Sequence, residues 1–398
     1  MKAHVLYGIN DLRYEDVEKP NPGRGEVLVK VEAVGICGSD IPRIFETGAH
    51  NHPLIPGHEF AGTVCAGGKD THQNIDNIED INKATIRTTD GGQYIENTHE
   101  MKRDKREDAL RNPTESWLGK RVGVFPLIPC GKCGPCLNKQ YEMCRNYNYL
   151  GSRCDGGFAE YVKVPVKNLI ELPDNVSFDD AAMLEPTAVS VHAMIRMIDS
   201  SLSPDEKVLR KNVVVIGLGT IGLLLTMNLV AEGFDNIFVI GNKKFQYEKA
   251  KELSISPENY CDSTATDPAL WLMSKTNGNG ADYIFECVGK NDTYKQAVEM
   301  ASPKGRVMLV GNPASDMQLG KNTYWKILRN QLSVIGTWNS SFTGEIDDDW
   351  HYAINGISSG DIKPSKLISH KLKLDELQNG LHIMKDKTED YVKVMVYS

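Results

Sequence analysis

Four cysteines within fifteen residues, Cys130, Cys133, Cys136 and Cys144, have the types and spacing to surround one tetrahedral zinc ion. A closed shell of four thiolates is structural chemistry, because no position is left for a reacting molecule. Gly131, Gly134 and Pro135 let the backbone wrap tightly between these ligands. A second set could do more. Cys37 lies in Gly35-Ile36-Cys37-Gly38-Ser39-Asp40 and His58-Glu59 in Pro56-Gly57-His58-Glu59-Phe60, each on a glycine-marked turn beside a β-type run. One thiolate and one imidazole make half a zinc site. A catalytic zinc takes three protein ligands and keeps one position open. Glu185, in the apolar segment Met183-Leu184-Glu185-Pro186 where an unpaired carboxylate is costly, is the candidate third ligand.

The third chemical signal is Gly217-Leu218-Gly219-Thr220-Ile221-Gly222. It follows the apolar run Val213–Ile216 and opens an apolar helix, the context in which G-x-G-x-x-G binds a dinucleotide pyrophosphate at a helix N-terminus. An Asp or Glu about twenty residues on, at the end of the next strand, ordinarily holds the ribose 2′-hydroxyl. Here that stretch reads Gly241-Asn242-Lys243-Lys244, with no acid between Ile237 and Gln246. The absent acid and the donors Asn242, Lys243 and Lys244 favour NADP(H), with NAD(H) held by other contacts as the alternative.

These groups need scaffolds. Residues 1–67 alternate short β-type runs, such as Glu26–Ala33 and Phe60–Cys65, with Gly/Pro turns, which predicts an antiparallel, partly barrel-like unit. From about Lys69 to Ser116 the composition turns polar and charged, predicting a surface insertion with one hairpin in TIRTTDGGQYIE. After Glu185 the rhythm becomes strand, helix, strand, with strands at Val213–Ile216, Ile237–Ile240, Asp282–Val288, Arg306–Val310 and Leu332–Trp338, which predicts an α/β, doubly wound parallel sheet. The last ~60 residues are expected to return to the first unit. The expected division is 1–186, 187–338 and 339–398, with the insertion at about 69–116 and the cysteine lobe at about 130–144.

At 398 residues the chain is long enough for two cores. With 45 Lys+Arg against 53 Asp+Glu its net charge is −8, which repels nucleic-acid backbones and argues against that role for the cysteine lobe. The N-terminus has no signal-peptide core and no run reaches membrane-span length, so a cytoplasmic location is expected.

Taken together, GICGSD, GHEFAGTV, the cysteine lobe, GGFAEYVKVP, LEPTAVSVHA, GLGTIG and the closing VKVMV resemble the zinc-dependent medium-chain alcohol and polyol dehydrogenases. The resemblance spans nearly the whole chain except the insertion. It implies a Rossmann dinucleotide-binding domain joined to a largely β, GroES-like catalytic domain carrying a structural zinc lobe, two zinc ions per chain, NAD(P), and a homodimer or homotetramer. By the same resemblance Cys37, His58 and Glu185 match the catalytic-zinc ligands, Glu59 a carboxylate that approaches the metal during ligand exchange, and Ser39 the hydroxyl that relays the substrate proton. Many members continue that relay with a histidine five residues after the ligand cysteine; here the position is Pro42.

CGSDIPRIFETGAH, PLIPC, NYLGSRCDGGFAEY and KILRNQLSVIGTW resemble the branch of the family acting on galactitol 1-phosphate. That reading makes the chain an oxidoreductase passing hydride between a secondary alcohol of a sugar-alcohol phosphate and NAD(P). A phosphate dianion calls for arginine, and Arg43 and Arg153 are the candidates, His50 and His52 weaker ones. Trp338 is expected either in the cleft or at a domain junction. The alternatives are a dehydrogenase of an unphosphorylated polyol (sorbitol, xylitol) or of L-threonine, and, in another class, a non-catalytic nucleotide- and zinc-binding protein.

Overall fold

The structure, a computed structural model, describes residues 1–68, 114–198, 206–313 and 315–398. The expected hairpin and most of the 69–116 segment lie outside the described residues. Strands β1 (Lys2–Gly8) and β2 (Asp11–Asp16) form a hairpin. The eleven-residue strand β3 (Glu26–Ile36) has Val27, Val29, Val31 and Val34 fully buried and organises a seven-stranded sheet. Its partners are β4 (Glu59–Gly67), β8 (Tyr161–Pro165) and, from the far end of the chain, β17 (Lys393–Tyr397), all antiparallel to it. β5 (Arg121–Val124) and β9 (Leu169–Glu171) extend the sheet past β4, and β16 (Ile368–Lys373) extends it past β17. The two-residue strands β6 (Leu127–Ile128) and β7 (Asn148–Tyr149) pair separately, flanking the cysteine lobe.

The second sheet is wholly parallel: β10 (Asn212–Ile216), β11 (Asn236–Gly241), β12 (Tyr260–Asp262), β13 (Ala281–Glu286), β14 (Ala301–Leu309) and β15 (Ser333–Gly336). Their spatial order β12-β11-β10-β13-β14-β15 is that of a dinucleotide-binding sheet, with the switch point between β10 and β13. The sequence pattern anticipates five of these strands. It misses β12 and the helices Pro268–Lys275 and Asn291–Met300, because a three-residue strand is too short to display a period and helices of eight and ten residues are shorter than the window of about 11–18 residues over which a helical period shows.

One apolar core joins the sheets: Ala33, Ala61 and Phe125 are continuous with Val213, Leu223 and Met308. The helix Leu184–Ile198 runs through this junction, packed on the helices Thr220–Ala231 and Asp349–Ser359, so its first turn is a fixed platform for Glu185. Among the described residues no helix is long and apolar enough to cross a membrane.

Candidate active site

Strand register assembles the site. β3 and β4 run antiparallel with Gly35 opposite Glu59, so Cys37, just past the end of β3, meets His58 and Glu59 at the start of β4. Val394 pairs with Ile36 in the adjoining ladder, which brings Lys393 to the same corner. Gly35 is required there, since a Cβ would lie 2.4 Å from Glu59 Oε2 and 2.6 Å from Lys393 Cε. One ligand atom each from Cys37, His58 and Glu59 lies within 4.8 Å of the others. Glu185 is not in that trio but lines the same cavity, of about 360 Å³, together with Ser39, Arg43 and Trp338.

Each donor is held from behind. Asp40 is fully buried, accepts the Cys37 N–H at 3.0 Å and an Arg43 N–H at 2.5 Å, and faces His58 Nδ1 at 3.5 Å. Burial works against a charged His58, but Asp40 and Cys37 outweigh it and raise the imidazole well above its ordinary value. Burial likewise opposes ionisation of Asp40, and His58 and Arg43 more than offset it. Glu59 accepts from the buried Lys393 ammonium, which also donates to Ile36 O at 3.2 Å. Burial pushes the Glu185 carboxyl up to about 7. Its Oε1 accepts the Tyr149 hydroxyl at 3.2 Å, and burial followed by Glu185 raises the Tyr149 phenol well above its usual value.

This arrangement fits a divalent metal. The four acids Cys37, Asp40, Glu59 and Glu185 meet two permanent cations, Arg43 and Lys393, and with these paired to Asp40 and Glu59 the thiolate and one carboxylate remain for a dication to neutralise. The cysteine lobe fits zinc on distance. Cys133 Sγ lies 3.4 Å from Cys136 and 3.9 Å from Cys144, and Cys130 Sγ lies 3.9 Å from Cys136; four sulfurs around zinc stand about 3.8 Å apart. Backbone N–H groups of Arg145 and Cys136 draw the Cys133 thiol down to about 6, towards the thiolate a metal needs.

The glycine loop leaves β10 for the helix Thr220–Ala231 with each glycine doing separate work. Gly217 has φ +90° and sits against Val288; a Cβ on Gly222 would fall 1.9 Å from Gly217 O. Gly219 has nothing within 4 Å of its Cβ position, which is open room for a pyrophosphate before the uncapped helix N-terminus. The Leu218 side chain is fully buried, Ile221 lines the same cavity as Cys37 and His58, and the Thr220 hydroxyl donates to Val392 O at 2.6 Å, so Leu218 and Thr220 offer a ligand only their backbone.

The sequence-predicted second line fares unevenly. Asn242 N–H donates to Gln246 Oε1, and Lys243 faces Asp390 at 3.7 Å. The stretch without acids in sequence therefore does receive one, from the C-terminal segment. Arg43 lines the cavity but is committed to Asp40, while the Arg153 guanidinium stacks at 4.5 Å on Tyr147, another cavity residue. His50 is exposed, and His52 is tied to the chain itself, its Nδ1 on Leu6 O and its Nε2 accepting from Ala49 N–H. Trp338 lines the cleft with 55% exposure. Sequence reasoning missed Asp40, Lys393 and Tyr149. Asp40 had a signal, an acid three residues past the candidate ligand Cys37; the other two had none.

The parallel nucleotide sheet and the two metal-fitting clusters define a zinc-dependent dehydrogenase, and the chain belongs to that family. Residues 220–359 match the zinc-binding dehydrogenase family and residues 23–77 and 108–174 the alcohol dehydrogenase GroES-like domain, a match that skips 78–107 within the insertion. The chain is 31% identical over 347 residues to galactitol 1-phosphate 5-dehydrogenase of Escherichia coli K12, covering 87% of this chain and 85% of that protein. It is 25% identical to sorbitol dehydrogenase of Bacillus subtilis over 402 residues, covering 100% and 97%. The crystal structure of galactitol-1-phosphate dehydrogenase from Escherichia coli superposes with a TM-score of 0.79 at 29% identity, covering all of both chains. A zinc-binding dehydrogenase from Sinorhizobium meliloti 1021, solved bound to NADP, gives 0.78 at 26% identity, covering 100% and 99%.

Proposed function

We propose that this chain oxidises a secondary alcohol of a sugar-alcohol phosphate, galactitol 1-phosphate to tagatose 6-phosphate, with transfer of hydride to NAD(P). The observation that carries the substrate class is Arg43 in the cavity lining, with the Arg153 guanidinium stacked on Tyr147 of the same lining. After burial, the Arg153 and Arg43 guanidiniums lower the pKa of the exposed His50, positive charge on a chain that is acidic as a whole. A dianion placed between them would gain charge-assisted hydrogen bonds. The likeness to galactitol 1-phosphate 5-dehydrogenase points the same way.

In this reading Cys37, His58 and Glu185 hold the catalytic zinc, and Glu59, restrained by Lys393, is the exchange carboxylate. The metal supplies Lewis-acid polarisation of a hydroxyl. Arg43 and Arg153 orient the phosphate end, and the glycine loop with the wall around Ile221 orients the nicotinamide end. Ser39 Oγ, which donates to Cys37 Sγ at 3.3 Å, takes up the substrate proton. Pro42 has no group to carry that proton onward, so water does so. Cys130, Cys133, Cys136 and Cys144 hold the structural zinc. The division 1–186, 187–338 and 339–398 follows as the working domain assignment.

NADP(H) is the favoured cofactor. A Cβ on Gly241 would lie 2.6 Å from the Tyr260 hydroxyl and 2.8 Å from Gln246 Oε1, so the acid that selects NAD would have to displace both side-chain ends. Asn242, Lys243 and Lys244 follow. A homodimer is also favoured: β15 ends its sheet, and Val334 on it and Tyr324, Trp325 and Leu328 on the helix beside it are exposed, an edge a second copy would cover. A cytoplasmic location accords with nine cysteines that are all free.

The deciding experiment assays galactitol 1-phosphate, galactitol, sorbitol, xylitol and L-threonine, each with NAD⁺ and NADP⁺. At least a tenfold preference in kcat/KM for the phosphate ester is expected. Equal rates on galactitol and its phosphate would sink the phosphate reading and favour an unphosphorylated polyol.

A further inference from the structure

Tyr149 belongs to the two-residue strand β7 and stands half-buried in the cavity wall. Its ring meets the His58 imidazole edge-on, with centroids 5.8 Å apart at 64°. Its hydroxyl donates to Glu185 Oε1 at 3.2 Å, the sole hydrogen bond to that carboxylate among the described residues. One side chain thus touches two of the three groups assigned to the catalytic zinc. Packing alone does not require this. A phenylalanine would fill the same space and keep the same edge-on contact, and a phenol turned away from water carries a desolvation cost unless its hydroxyl is used.

We propose that Tyr149 is a positioning residue of the catalytic metal site: its hydroxyl holds Glu185 Oε1, which would leave the other carboxylate oxygen available to a metal, while its ring backs His58. The proposal rests on the assignment of Glu185 as a zinc ligand. A carboxylate on a side chain with three rotatable bonds has many orientations available, and fixing one oxygen removes most of them before the metal arrives. Partners of this kind are worth about ten- to a hundred-fold in metal affinity or activity. Tyr147 continues the row outward, 6.2 Å from Tyr149 at 72° and beneath the Arg153 guanidinium. Tyr149 therefore stands between that stacked arginine and the groups assigned to the metal.

The test compares wild type, Tyr149→Phe, and a protein with a ring-fluorinated tyrosine in place of Tyr149, whose more acidic hydroxyl is a stronger donor of almost unchanged shape. Each is followed for loss of zinc to a chelator and, after cobalt substitution, by its visible absorption. Tyr149→Phe is expected to lose the catalytic zinc about ten to a hundred times faster, to shift the cobalt bands, and to lower kcat with KM for NAD(P) unchanged. The fluorinated protein is expected to lose zinc more slowly and to shift the bands the opposite way. Unaltered zinc loss and cobalt bands in both variants would overturn the proposal; if Tyr149→Phe fails to fold, the fluorinated protein decides alone. A wild type that holds one zinc per chain would instead overturn the underlying ligand assignment, and this proposal with it.

Discussion

Lys393 and Glu59, 334 residues apart, are joined by a hydrogen bond between ammonium and carboxylate at the floor of the cleft, each side chain 2% exposed. Burial opposes the charge on Lys393, but Glu59 foremost outweighs it and raises its pKa. The last strand of the chain thereby restrains the carboxylate next to His58.

Removing one member leaves the other as an uncompensated buried charge. Lys393→Met is expected to destabilise the protein by about 3–5 kcal/mol. Adding Glu59→Gln should recover most of that loss, because no ion then remains without its partner. Urea unfolding of the two variants measures this, and a double variant no more stable than Lys393→Met would contradict the pairing.

The cysteine lobe is expected to serve stability or assembly rather than hydride transfer. Cys133→Ser should lower the zinc content from two ions per chain to one and lower the melting temperature or the oligomeric state, before it alters turnover per folded chain. Retained zinc stoichiometry on elemental analysis would contradict a four-thiolate site.

Gly222→Ala places a methyl group 1.9 Å from Gly217 O, and neither the strand end nor the helix start can give way cheaply. We expect at least about a tenfold loss of NAD(P) affinity in calorimetric titration, since the loop proposed to cradle the pyrophosphate must move. Zinc content should not change. An unaltered dissociation constant would argue that the loop is not the cofactor site.

His4 makes a pH prediction. It is buried, its Nε2–H donates to Leu374 O at 2.6 Å, its Nδ1 has no partner, and burial lowers its pKa. Above the unfolded value of about 6.5 both states are neutral and nothing is lost. As pH falls below that, the unfolded chain binds a proton that the folded chain resists, and stability drops until the lower folded pKa is reached. His4→Gln should therefore lose less stability than wild type between about pH 7.5 and 5.5 by urea unfolding. Parallel curves would remove His4 from the acid response.

Cys37 and His58-Glu59 lie on separate turns that meet only through the β3–β4 register, whereas the glycine loop and the four-cysteine lobe are legible in sequence because each is a local motif. Spacing over a few residues already dictates which atoms can reach a common point. The run of buried strands in the second sheet is legible for a similar reason, since parallel strands covered on both faces are apolar throughout.

Lys393, Asp390 and Tyr149 are different. In VKVMV a lysine between valines reads as the solvent-facing residue of a half-buried strand, yet β17 lies against β3 so that Lys393 enters the ligand corner instead. The segment Gly241–Lys244 contains no acid, but folding brings Asp390 to Lys243. Sequence by itself determined the ligand types, the nucleotide loop and the class of fold. Only the tertiary structure decided which charges meet them, because burial and partner distance, which set ionisation and affinity, depend on segments that approach one another only after the sheets have formed.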